Sequence, residues 1–115
     1  MTSVFKNNLT ANIGSSLTTV LTSNASANTT IIGMSLTNTT TEQVLVSIRL
    51  TDPNGGGIGV PVSAYYIKNV SVPANQSLRV INGGEKLIVA PTTVIEMQST
   101  VNDSIDLVMS WVEIS

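Results

Sequence analysis

The chain contains no cysteine and no histidine among its 115 residues. Without imidazole or thiol, Ser-His and Cys-His nucleophilic catalysis is excluded. The commonest metal ligand and the usual neutral-pH proton acceptor are missing as well. Disulfides can supply no stability, and cysteine usage says nothing of the redox compartment. Charge is scarce: Asp, Glu, Lys and Arg make up 10% of the residues, against about 25% in an average soluble domain. The five Lys and Arg are scattered singly and the net charge is −2, so there is no basic footprint for nucleic acid or for an anionic membrane. Aromatics are limited to Phe5, Tyr65, Tyr66 and Trp111, too few for a stacking platform.

No apolar run approaches the roughly 20 residues that span a bilayer. The opening Met1-Thr2-Ser3-Val4-Phe5-Lys6-Asn7 has no apolar leader segment. The expectation is a complete short product, made in a cytosol and not secreted. Asn24-Ala25-Ser26, Asn28-Thr29-Thr30 and Asn69-Val70-Ser71 fit the glycosylation triplet. A chain so rich in Asn, Ser and Thr produces such triplets by chance.

What is abundant is period-two alternation. Hydrophobic residues make up 42% of the chain and mean hydropathy is +0.30. Val44, Val46, Ile48 and Leu50 alternate with Leu45, Ser47 and Arg49. Ile32, Met34 and Leu36 alternate with Gly33, Ser35 and Thr37. Ile105, Leu107, Met109 and Trp111 alternate with Asp106, Val108 and Ser110. Such a pattern buries one face of a strand and wets the other. Val, Ile and Thr suit pleated surfaces. Turn signals separate the runs, most strongly Pro53-Asn54-Gly55-Gly56-Gly57, then Pro73-Ala74-Asn75, Asn82-Gly83-Gly84 and Asn102-Asp103. The spacing predicts eight strands, at 16–22, 29–37, 43–51, 62–69, 76–81, 86–90, 93–100 and 104–114. The expected fold is all-β: a single antiparallel β-sandwich, jelly-roll or immunoglobulin-like. The last strand reads as central, because Val108, Val112 and Ile114 make its second face apolar too.

Residues 1–15 lack clean alternation and stand apart from a sandwich domain at 16–115. They read either as a frayed end with an edge strand or as an extended N-terminal arm lying on a neighbouring subunit. Val4, Phe5, Leu9 and Ile13 would supply the apolar contacts of such an arm. Tyr65 and Tyr66 fall on opposite faces of a strand, one in the core and one available as an interface anchor. These six residues are the interface candidates.

Chemistry finds little footing. Lys6, Lys68 and Lys86 have no Ser-Lys signature around them. Glu96 and Asp106 lie within strands and could be cross-strand neighbours in a final hairpin, but no aromatic platform accompanies them for sugar cleavage. Asp52-Pro53-Asn54-Gly55-Gly56 starts like a calcium loop, yet Ser63 stands where a bidentate Glu is required. Asp52 and Asn54 read as turn residues. No cofactor and no metal is expected, and no enzyme.

Ser3-Val4-Phe5-Lys6-Asn7, Asn12-Ile13-Gly14, Thr30-Ile31-Ile32-Gly33-Met34, Tyr66 to Ala74 and Trp111-Val112-Glu113-Ile114-Ser115 together resemble small virion structural proteins of tailed bacteriophages, including those of marine bacteria and cyanobacteria. The resemblance implies a β-sandwich on a capsid, neck or tail, with no residue of assigned role to transfer. The expected function is that of a capsid decoration, or cement, protein that holds neighbouring capsid subunits. The expected partners are the major capsid protein or other virion proteins and further copies of the chain, with a trimer favoured and neither nucleic acid nor membrane. The expected location is the virion. A neck or tail accessory protein and a carbohydrate-binding or adhesin module are the alternatives.

Overall fold

Runs in which Val, Ile, Leu or Met recurs at every second position form most of the strands, although Ile58 and Val60, spaced in the same way, lie in a loop. A computed structural model describes residues 2–55, 57–81 and 86–115; Gly56 and the turn expected at Asn82-Gly83-Gly84 lie outside them. The described residues form nine strands: β1 (Ser3–Ile13), β2 (Thr18–Thr22), β3 (Asn28–Asn38), β4 (Val44–Asp52), β5 (Val62–Val72), β6 (Ser77–Ile81), β7 (Leu87–Val89), β8 (Val94–Ser99) and β9 (Ile105–Ile114). Two antiparallel sheets result. Sheet A runs β1-β9-β3-β6, with β7 also on β3, and sheet B runs β2-β8-β4-β5. β6 and β7 lie along the same edge of β3, at Met34–Thr37 and Thr29–Ile31 respectively. Counted as one interrupted strand they give eight, in orders 1-8-3-6 and 2-7-4-5. This is the jelly-roll arrangement, in which nearly every connection crosses between sheets. An immunoglobulin-like sandwich would instead pair its first two strands as neighbours in one sheet. Among the described strands only β4 and β5 form a hairpin within a sheet.

The inward faces interlock as one core. Ile31, Met34 and Leu36 of β3, with Ile105, Leu107, Met109 and Trp111 of β9, meet Val44, Val46 and Ile48 of β4 and Ile95 and Met97 of β8. One detail departs from simple alternation. A bulge between Ile31 and Gly33 inserts Ile32 as an extra residue opposite β9. Ile31, not Ile32, therefore shares the inward face with Met34, and Ile32 is left half-buried. Period two cannot reveal such a one-residue slip.

One end of the sandwich is laced by polar side chains. Asn38 is fully buried and satisfied: its Nδ2 donates to the carbonyls of Glu42, Val72 and Pro73, and its Oδ1 accepts from the N–H and hydroxyl of Thr40. The Ser99 and Ser104 hydroxyls lie 2.6 Å apart and 2.7 and 2.6 Å from the Val101 carbonyl oxygen, so one hydroxyl donates to the other and the second donates to that carbonyl. At Gly14 a Cβ would lie 3.1 Å from the Cα of Asn102. Glycine there lets the β1–β2 and β8–β9 loops touch, and Asn102 Oδ1 accepts from both the N–H and the hydroxyl of Ser15. Buried polar groups satisfied in this way fix loop positions that apolar packing alone would leave loose.

Candidate interaction surface

The chain's own register assembles the site. β1 pairs with β9 from Ser3↔Ile114 to Thr10↔Leu107, so residues 3–13 form the edge of sheet A. Lys6 helps to fasten it. On the inward side its Nζ lies 3.1 Å from Glu113 Oε1. The Trp111 indole N–H donates to Glu113 Oε2 and the Asn24 amide to Oε1. The Trp111 hydrogen bond, then that from Lys6, lowers the Glu113 pKa from its ordinary value. Asn8 Nδ2 donates to the Val20 carbonyl of β2 at 2.6 Å, closing the gap between the two sheets on this side.

With Lys6, Asn8 and Thr10 facing inward, Phe5, Asn7 and Leu9 face out. Pairing carries this outer face across the sheet in rows. One row is Phe5, Val112, Thr30 and Ile88 on β1, β9, β3 and β7. A second is Leu9, Val108, Ser35 and Arg79. Between them lie Asn7, Ser110 and Gly33, with bulged Ile32 beside Phe5 in a shallow hollow. Phe5 and Ile88 are each 75% exposed, Leu9 68% and Val108 50%. Arg79 ends the second row, exposed Lys86 precedes β7, and Asp106 lies on β9 with its carboxylate already accepting from the Asn12 N–H. The face is broad, nearly uncharged and apolar in patches. Exposed patches of this kind mark sites of association.

The outer face of sheet B has a different chemistry. Its central row is Thr19, Glu96, Arg49 and Tyr65, with Arg49 Nη2 donating to Glu96 Oε1 at 2.8 Å. A second row is Thr22, Val94, Thr51 and Ser63, with the Thr51 and Ser63 hydroxyls 2.8 Å apart. Lys68 Nζ stands 4.9 Å from the centroid of the Tyr65 ring, a cation–π contact.

The six interface candidates therefore separate. Phe5 and Leu9 come together on the outer face of sheet A, with Val4 partly exposed at the same edge. Ile13 does not join them: at 2% exposure it belongs to the core, because the bulge between Thr10 and Ile13 turns it inward opposite Ile105. Tyr65 is exposed on sheet B, while Tyr66 packs against the core. Ile32, Ile88 and Val108 were not singled out by the sequence. The available signal was the apolar second face of β9, which reads as a strand covered on both sides; the described chain supplies no layer over that face.

Glu96 and Asp106 do not form a hairpin pair. β8 and β9 belong to different sheets, and Glu96 is held by Arg49. Asp52 and Asn54 turn their side-chain oxygens to the loop backbone, accepting from the N–H groups of Asn54 and Gly59. Among the described residues no three His, Cys, Asp or Glu side chains group as a metal site, and no helix is long and apolar enough to cross a membrane.

Two solved structures share this fold. A chain of the T13 IBDV viral particle superposes with a TM-score of 0.56 at 10% identity; the match covers 97% of this chain and 31% of that one. A chain of the Bacillus endospore appendages, described as disulfide-linked pili, superposes with a TM-score of 0.51 at 13% identity, covering 99% of this chain and 90% of the other. This chain spans less than a third of the virus-particle chain but most of the pilus chain. At such identities the likeness is one of fold. No family model and no curated protein matches the sequence.

Proposed function

We propose that this chain is a non-enzymatic structural subunit of a virion, a capsid decoration protein of tailed-phage type, and that it docks on the major capsid protein through the outer face of sheet A. The observation that carries the reading is that face: Phe5 with Ile32 beside it, Leu9 with Val108 beyond the Asn7–Ser110–Gly33 row, and Ile88 at the far edge are all exposed on it or half-buried, with no layer of the described chain above them. Apolar area supplies association energy without the desolvation cost that charged groups carry. Many copies on a symmetric shell make each weak contact count through avidity. The jelly-roll fold, shared with a chain of a viral particle and a chain of a pilus, supports a role in assembly by analogy of architecture.

The reading is tested by mass spectrometry of purified particles. The expected result is this polypeptide at a fixed ratio to the major capsid protein, retained through density-gradient purification. Its absence from the particles overturns the proposal. Its recovery with necks or tails after mechanical disruption moves the docking site there.

A further inference from the structure

The open edge of β1 carries a pattern independent of the virion reading. Thr2 and Ser115 exchange both backbone hydrogen bonds. Pairing then alternates along the strand, so Val4, Lys6, Asn8 and Thr10 turn their N–H and C=O groups toward β9. Ser3, Phe5, Asn7, Leu9 and Ala11 turn theirs away, off the edge of the sheet. An uncovered row of such groups is a template for another strand. The other edges are less suited. β2 and β6 have five residues each and β7 three. β5 is interrupted by two register shifts against β4 and by Asn69 at φ 53°. β1 is regular from Ser3 to Thr10 and breaks only near Asn12, at φ 61°.

We infer that β1 pairs antiparallel with β1 of a second copy about a two-fold axis at Asn7, joining two copies of sheet A into one continuous sheet. The side chains select this register. Centred on Asn7, Phe5 of each copy lies opposite Leu9 of the other on the outer face, an aromatic–aliphatic pair. The two Asn7 amides meet at the axis, where each can donate and accept. Lys6 stands opposite Asn8. Moving the axis to Lys6 sets two ammonium groups against each other. Moving it to Asn8 leaves Phe5 against Ala11 and Leu9 against Asn7, and brings the bulged Ile13 into the ladder. Only the Asn7 register runs from Ser3 to Ala11 and ends before the break at Asn12. The dimer also aligns the two apolar outer faces side by side. The basic unit is then a two-fold dimer, in place of the trimer expected from sequence.

The absence of cysteine makes cross-linking a direct test. Paired Cα atoms at a hydrogen-bonded position are about 5.5 Å apart, within disulfide range. Under mild oxidation Asn7→Cys should give a covalent dimer. Phe5→Cys and Leu9→Cys should each stay largely uncross-linked alone but cross-link when mixed. Asn7→Pro removes an edge donor that β9 does not use, so edge placement should leave the monomer folded by circular dichroism while dimerisation weakens at least tenfold by light scattering. The inference is overturned if wild type is monomeric at 100 micromolar, if Leu9→Cys cross-links with itself as fast as Asn7→Cys, or if Asn7→Pro dimerises like wild type. None of these results bears on whether the chain is found in particles.

Discussion

The two outer faces of the sandwich come from the same few residue types and end with opposite characters. Sheet B pairs much of its outer surface: Arg49 Nη2 donates to Glu96, although Arg49 Nε is left without a partner among the described residues, Thr51 meets Ser63, and Lys68 covers Tyr65. Sheet A leaves Phe5, Leu9, Ile88 and Val108 without partners. The loops and core serve both sheets alike, so the difference lies in the outward positions of the strands. A fold that is symmetric in layers need not be symmetric in role. Here one face carries paired polar groups and the other exposed apolar ones, and the proposed function assigns contact to the second.

The largest effect that sharpens the contrast is a parity test on β9. Leu107 points into the core and Val108, its neighbour, points off sheet A. Leu107→Ala should cost about 2–5 kcal/mol. Val108→Ala should cost less than about 1 kcal/mol, mainly through strand propensity. Denaturant unfolding of both variants measures the two values. Equal costs would mean that the outer face is covered.

Next in size is the acid limb of stability. The Glu113 pKa is lowered on folding. Its stabilisation is therefore complete above the unfolded carboxylate pKa, about 4.3, and is lost as pH falls through the lower folded value. Glu113→Gln should remove this part of the pH dependence, giving a flatter melting-temperature profile between about pH 5 and pH 2 than wild type. Because Glu113 holds Lys6, hydrogen exchange at the β1 edge should also quicken in the variant. A profile identical to that of wild type would separate Glu113 from the fastening of β1.

The smallest effect is expected on sheet B. Arg49→Met breaks one partly exposed ion pair, which solvent screening keeps weak. Melting temperature should move by only a few degrees, and assembly should not change. A loss of assembly in Arg49→Met would reverse the assignment of the two faces.

Much of the fold was legible in the alternation. Val44, Val46 and Ile48, and Ile105, Leu107, Met109 and Trp111, face inward as their period demands. Their spacing with the turn residues predicts the all-β sandwich. The sheet order was not legible, because jelly-roll and immunoglobulin-like sandwiches share strand chemistry and differ in which strands meet. The slip at Ile32 was hidden for a related reason: a bulge is set by the partner strand. Residues 1–15 read ambiguously because the inward face of β1 is polar. Lys6, Asn8 and Thr10 line the side of the sandwich, where Glu113 and the Val20 carbonyl await them. Of the proposed docking face, Phe5 and Leu9 could be picked out as apolar residues in a polar stretch. Ile88 and Val108 became visible only once pairing set them on one surface.

A cryo-EM map of the intact particle tests the central claim most directly, because it fixes the orientation of each sheet. The account predicts that Phe5, Ile32, Ile88 and Val108 are covered by a neighbouring subunit while Thr19, Glu96 and Tyr65 face solvent. A map with the outer face of sheet A turned to solvent, and sheet B or the loops making the contact, would contradict it.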